Sequence, residues 1–330
     1  MIKRKPVISI VTPVYNEEEN VAVFYAAVKK ELDQIADEYD YEFVFTDNRS
    51  QDRTFDLLRD IARNDPRVKV ARFSRNFGYQ KSIFTGYCLA AGDVAIEMDC
   101  DLQDPPEMLH AFLAKWKEGY EVVYGVRNTR KEGWFQTRMR QCFYRMIRFL
   151  SEDDLPLDAG DFRLVDRKVL DQVKRLYDAT PYLRGTIATM GFKQIGLPYD
   201  RHQRLRGQSK FNFSSMFALA MDGILNHSIV PLRCATFTGF FISIGLLLYF
   251  IALYNLTFFF HYPWPKGFAT MSVLILISIT LNALFLGIIG EYLGRIYRQI
   301  KGQPITIVDE TLNLSDPGTV NREFPGARKS

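Results

Sequence analysis

The sequence predicts an α/β fold, a doubly wound and mostly parallel sheet, followed by an interfacial amphipathic helix and a two-helix transmembrane hairpin. Three observations predict it. Short apolar, β-branched runs alternate with helical patterns through the first third of the chain. Three of those runs stop at polar clusters, as strands do where they deliver side chains to a cleft. Two long stretches without a charge follow residue 234.

Val7 to Val14 is rich in β-branched residues and reads as a buried strand, ended by Tyr15-Asn16-Glu17-Glu18-Glu19-Asn20. A helical pattern runs from Val21 to about Ile35. Residues 42–46 form a second strand that stops at Asp47-Asn48-Arg49-Ser50. A helix over 54–63, a strand over 68–73 and a helix over 80–90 come next, and a strand over 93–98 ends at Asp99.

From about Lys210 the composition changes. Phe211, Phe213, Met216, Phe217, Ala220, Ile224 and Leu225 recur at helical spacing among polar residues, which suits a helix lying in a membrane interface over 209–230. Residues 235–257 and 268–290 are each 23 residues long and uncharged. At 1.5 Å per residue each reaches roughly 34 Å, enough to cross a hydrocarbon core of about 30 Å. Tyr262 and Trp264 in the connector suit an aromatic belt. Arg201, Arg204, Arg206, Lys210 and Arg233 lie before the first span, and Arg295, Arg298 and Lys301 after the second. The positive-inside rule then places both termini and the α/β domain in the cytoplasm, with the hairpin in the inner or plasma membrane. The expected division is a catalytic domain over 1–208, the interfacial helix over 209–230, the hairpin over 231–298 and a cytoplasmic tail over 299–330, which after about Pro304 reads as flexible and is assigned no chemistry. The hairpin also offers a surface for a homo-oligomer.

The chain has 330 residues, enough for one such domain and an appendage. Its net charge of +4 is too small to argue for nucleic acid. Cys88, Cys100, Cys142 and Cys234 form no CxxC pair and no zinc spacing, so they read as thiols of a reducing compartment. No signal-peptide pattern precedes the first strand. His110, His202, His227 and His261 are scattered and suggest no histidine chemistry.

Asp99-Cys100-Asp101-Leu102-Gln103-Asp104-Pro105-Pro106 is the sharpest signal. Two carboxylates two residues apart, just after a strand, can aim oxygens at one hard cation, and Mg²⁺ or Mn²⁺ favours such sparse sites completed by water and phosphate. Gln103 could orient the cluster or add a neutral oxygen. The plainer reading is a polar turn with Asp104 capping the next helix. After the second strand, Ser50 or Asp52 could cap a helix while Asp47 and Asn48 face the cleft. An Asn amide can exchange hydrogen bonds with the imide and carbonyl of uracil. Pro13, Tyr15 and Glu17 could wall the other side of a base and ribose, with Tyr15 as a plain core aromatic the alternative. Asp161, in Gly160-Asp161-Phe162-Arg163, could act as a base or hold an acceptor; otherwise it pairs with Arg163 or Arg167. Arg204, Arg206 and Lys210 surround Gly207 in a basic loop, suited to lipid headgroups or to clamping a phosphate, and Arg127, Arg138 and Arg145 could add to the same positive cleft.

Together these segments resemble the family-2 glycosyltransferases of GT-A fold, and within them the polyprenyl-phosphate sugar transferases, such as dolichyl-phosphate mannose synthases and bactoprenol glucosyltransferases. The matching stretches are VTPVYNEEENV at 11–21, TDNRSQDRT at 46–54, RNFGYQ at 75–80, DCDLQDPPE at 99–107, GDFRLVDR at 160–167, YLRG at 182–185, RLRGQSKF at 204–211 and GEYLGRIY at 290–297. The resemblance implies that Asp99 and Asp101 bind metal and donor diphosphate. It implies that Pro13, Tyr15, Glu17, Asp47 and Asn48 line the nucleotide pocket, and that Arg206 and Lys210 hold the lipid phosphate. One departure stands out: the family commonly has Asp-Asp-Gly-Ser where this chain has Asp47-Asn48-Arg49-Ser50.

The expected activity is inverting transfer of a hexose from a nucleotide sugar, UDP-glucose first, to polyprenyl (undecaprenyl) phosphate at the cytoplasmic face. GDP-mannose and other UDP-sugars are alternative donors. A membrane scaffold with a degenerate transferase domain is the non-enzymatic alternative, kept because of Asn48 and Arg49. A processive polysaccharide synthase would carry an Arg-Trp dipeptide that this chain lacks, and a nicotinamide oxidoreductase a glycine-rich turn where Pro13-Val14-Tyr15-Asn16 stands.

Overall fold

Alternation along the first strand builds two cores. In the computed structural model, which describes residues 4–127, 159–176, 178, 181–202, 230–260 and 267–314, β1 (Val7–Val14) sends Ile8, Ile10 and Val14 into one core and Val11 into the other. Helices α1 (Val21–Asp33), α2 (Thr54–Asn64) and α4 (Met108–Lys117) close the first core with Phe24, Leu58 and Phe112. Helices α3 (Tyr79–Leu89), α5 (Arg167–Val173) and α6 (Leu183–Thr189) close the second with Ile83, Leu170 and Ile187. The approach of α3 to β1 is so close that a Cβ on Gly86 would sit 2.3 Å from Val11 Cγ1.

The remaining strands are β2 (Asp40–Asp47), β3 (Val68–Phe73), β4 (Val94–Glu97), β5 (Val122–Arg127), β6 (Ala159–Asp166), β7 (Gln194–Tyr199) and β8 (Val308–Leu312). They form one sheet in the order β7-β5-β6-β4-β1-β2-β3-β8. Strands β1 to β4 run parallel, as do β5 and β7, whereas β6 is antiparallel to β4 and β5 and β8 is antiparallel to β3. The expected mostly parallel α/β sheet is therefore what forms. Parallel strands bring the ends of β1, β2, β4, β5 and β7 to one edge. Strand β6 reaches that edge by its other end: Glu97 pairs with Arg163, so Asp161 lies level with Asp99.

Two long helices follow, α7 (Val230–Phe260) and α8 (Phe268–Ile300). They touch where the Gly239 Cβ position lies 3.5 Å from the Phe285 ring. Phe237, Phe240 and Leu248 of α7 and Leu276, Ile279 and Leu286 of α8 stand exposed. Among the described residues one stretch, Leu274–Ile300, is long and apolar enough to cross a membrane; the apolar stretch Ala235–Gly245 on α7 is shorter. By length and composition the second of the two expected spans is supported, and the first is not shown among the described residues. The interfacial helix expected over 209–230 lies almost wholly outside the described residues, as do Arg206 and Lys210.

The tail departs from expectation. Beyond about Pro304 the chain was expected to be flexible, yet Val308–Leu312 returns to the sheet as its edge strand. Thr306, fully buried, exchanges a hydrogen bond with Thr85 at 2.8 Å. The Asn313 amide donates to the carbonyls of Ala62 (2.7 Å) and Val68 (3.0 Å). These contacts seat the segment beyond α8 against the α/β domain.

Candidate active site

The loops after β1, β2 and β4 each hold one non-glycine residue in the left-handed region: Asn16 (φ 55°), Arg49 (φ 63°) and Leu102 (φ 54°). Such backbone bends concentrate where surrounding contacts impose them, and functional loops are the usual place. The first two loops are laced together. The backbone N–H of Asn16 donates to Ser50 Oγ at 3.0 Å, and that of Gln51 donates to Asn16 Oδ1 at 2.8 Å. Glu17 N–H donates to Thr54 Oγ1, while Glu17 Oε2 accepts from the Asn20 amide.

Asp47 is fully buried, and its Oδ1 accepts from Ser50 N (3.0 Å) and Ser50 Oγ (2.5 Å). Arg72 Nε lies 3.3 Å from Asp47 Oδ2, and Arg72 also donates to Ser50 O while stacking over Phe55. Burial pushes the Asp47 carboxyl above its usual range against the pull of these partners. Asp47 therefore shapes the loop from below. Asn48 is buried too, with Oδ1 accepting from Phe77 N at 3.3 Å. Pro13 is buried within β1 in register with Thr46, and Tyr15 is half-buried just beyond it. Asp52, ahead of α2, accepts from Thr54 N at 3.0 Å.

Carboxylates crowd the middle of the edge. Tyr79 Oη donates to Asp99 Oδ1 at 2.7 Å and lies 3.3 Å from Glu97 Oε1. Burial, then the charges of Asp104 and Asp101, raise the Asp99 carboxyl to about 7. Burial, then the charges of Asp99, Asp161 and Asp104, push Glu97 well above its usual range, and its Oε2 has no hydrogen-bond partner among the described residues. Asp101 is buried and accepts from Gln103 N at 3.1 Å; Gln103 O in turn accepts from His202 N. Asp104 does not cap α4, whose N-cap is Glu107; it accepts from Tyr199 Oη, which also accepts from Arg127 Nε at 3.3 Å. Arg201 bridges the group, 3.9 Å from Asp99 Oδ2 and 3.5 Å from Asp104 Oδ1.

Asp161 completes the cluster. Neither Arg163 nor Arg167 is its hydrogen-bonded partner: Arg163 donates to Gly160 O, and Arg167 to the carbonyls of Ala90 and Gly92. Arg184 grips it with Nε at 2.8 Å and Nη2 on the second oxygen, and Gln80 donates at 3.4 Å. Burial pushes the Asp161 carboxyl up, but Arg184 outweighs it and holds the group below its usual range. Asp161 is thus an ionised carboxylate held in one orientation. Arg184, Tyr79, Gln80, Tyr199 and Arg201 carried no assigned role from sequence. The signal was present in part, since Arg184 stands in YLRG and Gln80 in RNFGYQ.

The residues fit a divalent cation in one respect. Asp99, Asp101 and Asp104 form an oxygen-only group with more negative charge than Arg201 balances, an excess that adds to burial in raising the Asp99 carboxyl. Among the described residues no cluster of three or more His, Cys, Asp or Glu is arranged to hold a metal. Asp99 and Asp101 would be the two protein ligands of such a cation, with further coordination from substrate and water.

A family model described as Glycosyl transferase family 2 matches residues 9–174, which contain the two laced loops, the loop after β4 and the carboxylate cluster up to Asp161. The chain belongs to this family. The transferase is 42% identical over 310 residues to YkcC of Bacillus subtilis (strain 168), an uncharacterized glycosyltransferase, covering 93% of this chain and 95% of the relative. It is 34% identical over 305 residues to the SfII prophage-derived bactoprenol glucosyl transferase of Shigella flexneri, covering 92% and 98%. Among solved structures it is similar to the mannosyltransferase PcManGT of Pyrobaculum calidifontis in complex with GDP-Man and Mn²⁺, at 17% identity and a TM-score of 0.43, over 86% of this chain and 88% of that one. That last likeness is too remote to bear on substrate or metal.

Proposed function

We propose that the transferase moves a hexose, from UDP-glucose before other nucleotide sugars, onto polyprenyl (undecaprenyl) phosphate at the cytoplasmic membrane face, with inversion of the anomeric centre. The observation that carries this is the meeting of Asp99, Asp101 and the Arg184-held Asp161 at one sheet edge, beside the laced loops of Tyr15 and Asn48. The bactoprenol glucosyl transferases at 34% identity support the acceptor and the sugar. The exposed apolar faces of α7 and α8 support a membrane hairpin.

The loop residues Pro13, Tyr15, Glu17 and Asn48 bind the base and ribose, with Asp47 holding the loop in shape. Asp99 and Asp101 would hold a Mg²⁺ or Mn²⁺, which would supply charge neutralisation for the diphosphate leaving group. A lipid phosphate has a second pKa near ~6 by analogy with phosphorylated side chains, so it arrives largely ionised and needs little proton removal. Its oxygen attacks the anomeric carbon as the bond to the diphosphate breaks, leaving a nucleoside diphosphate. Holding two anionic groups together is the harder task. Arg127, with Arg206 and Lys210 outside the described residues, holds the acceptor, and Asp161 with Arg184 orients the reacting groups.

Purified protein is given labelled UDP-glucose and undecaprenyl phosphate. Asp99→Asn and Asp101→Asn each abolish transfer without lowering the melting temperature, chelator silences the wild type, and Mg²⁺ or Mn²⁺ restores it. Full activity in chelator would sink the metal assignment. A product that keeps the donor's anomeric configuration would overturn the single displacement, and a panel including GDP-mannose tests the donor.

A further inference from the structure

Arg49 is an odd residue for its place. Its φ of 63° is the conformation a glycine adopts freely and a side-chain-bearing residue resists. The loop from Asp47 to Ser50, tied by Asp47, Asn16 and Arg72, nevertheless holds it, and the ion-pair partner of the Arg49 side chain comes from beyond α8. The Arg49 guanidinium forms an ion pair with Asp309 on β8, 260 residues away in sequence. The next residue of β8, Glu310, pairs in the ladder with Arg72 and makes an ion pair with Arg59 at 3.4 Å. Arg72 is the side chain that props Asp47 and Ser50 from below. The ladder shifts register between Arg72 and Phe73, and Ser74 N donates to Ile307 O at 2.9 Å, so β8 is fixed on both sides of the irregularity. Seven residues, 301–307, separate the end of α8 from the start of β8, and Thr306 among them is wholly buried.

We propose that Asp309 is a positioning residue for the donor nucleotide: through Arg49 it sets the left-handed bend of the loop after β2, so that donor affinity is controlled from the segment that follows the membrane helix. This rests on the assignment of that loop to the nucleotide. A glycine in place of Arg49 would take the bend with no partner, whereas the arginine ties the bend to β8. The chain thereby joins two requirements, a loop shaped for the donor and a membrane helix docked on the domain, in one contact. The pair is half-exposed, and exposed pairs are individually weak, so the effect belongs in the low single-digit fold range.

The test uses the full-length protein in detergent, titrated with UDP and with GDP, and steady-state assays varying donor and lipid separately. Asp309→Asn raises the dissociation constant of the nucleotide that wild type binds, and the donor KM, by about threefold, with kcat and the lipid KM unchanged. In an Arg49→Gly background the same substitution adds no further loss, because the bend no longer depends on the pair. An equal loss in both backgrounds, or a fall in kcat with donor KM constant, overturns the proposal. Asn48→Ala serves as the reference for the loop itself. If it weakens nucleotide binding while Asp309→Asn does not, this inference fails alone. If Asn48→Ala leaves affinity unmoved, the donor-loop assignment fails and this inference with it. A melting temperature within error of wild type for Asp309→Asn excludes general unfolding as the cause.

Discussion

At Asp65, between α2 and β3, one carboxylate accepts from Tyr25 Oη at 2.8 Å and from Arg67 through Nε (2.9 Å) and Nη2 (2.7 Å). The Arg67 guanidinium holds its pKa at about 2. An unfolded Asp titrates near ~3.9, so the folded state favours the ionised form. The stability this contributes is present above about pH 4 and is lost as pH falls toward 2. Asp65→Asn is expected to lower stability by about 1–2 kcal/mol at pH 7 and to remove part of the acid-side loss between pH ~4 and ~2, read from melting temperature against pH. Sequence showed the candidate carboxylates better than their partners. Asp99 and Asp101 declare themselves by spacing after a strand, but Arg184 meets Asp161 only because α6 packs beside β6, and no local pattern encodes that contact. Glu97 was hidden for a related reason. One residue of an apolar strand alternation looks like a surface position until both faces of the sheet prove to be covered.

Elements built on local periodicity were legible: the expected runs over 7–14 and 68–73 coincide with β1 and β3, and the helices agree to within a residue or two. Strand β8 was not, and its composition explains why. Val308-Asp-Glu-Thr-Leu312 carries two acidic residues in five, the pattern of an edge strand protected against further pairing, and such a strand resembles a solvated tail. The contact of α3 with β1 yields a test at this scale. A methyl at Gly86 meets Val11 Cγ1 at 2.3 Å, with the strand backbone of a full sheet behind it. Gly86→Ala is expected to destabilise the domain by about 1–3 kcal/mol, the usual cost of overpacking. In a Val11→Ala background most of that loss should disappear, because the methyl that is struck has been removed. Strictly additive losses in a denaturation cycle would show that the close approach is not the cause.

For the molecule as a whole, the return of β8 to the sheet fixes which end of α8 faces the catalytic edge. The chain leaves α8 at Ile300 and is part of the domain again by Thr306, so the Arg295, Arg298 and Lys301 end of the helix lies on the domain's side. The opposite end, at Phe268, follows Phe260 of α7 by a short connector, and exposed Phe, Leu and Ile side chains cover both helices between the two ends. Water is a poor solvent for such a surface and a bilayer a good one. In the proposed hairpin, charge asymmetry would orient the pair with the cationic end on the cytoplasmic side. A cysteine placed at Gly267 is therefore expected to react with a membrane-impermeant maleimide in intact cells, and one at Gly302 only after permeabilisation, each read against the parent chain. If both sites label only after permeabilisation, α7 and α8 lie on the membrane without crossing it and the hairpin is wrong. If both label in intact cells, the domain faces outward, away from cytoplasmic nucleotide sugar, and the proposed donor is wrong as well.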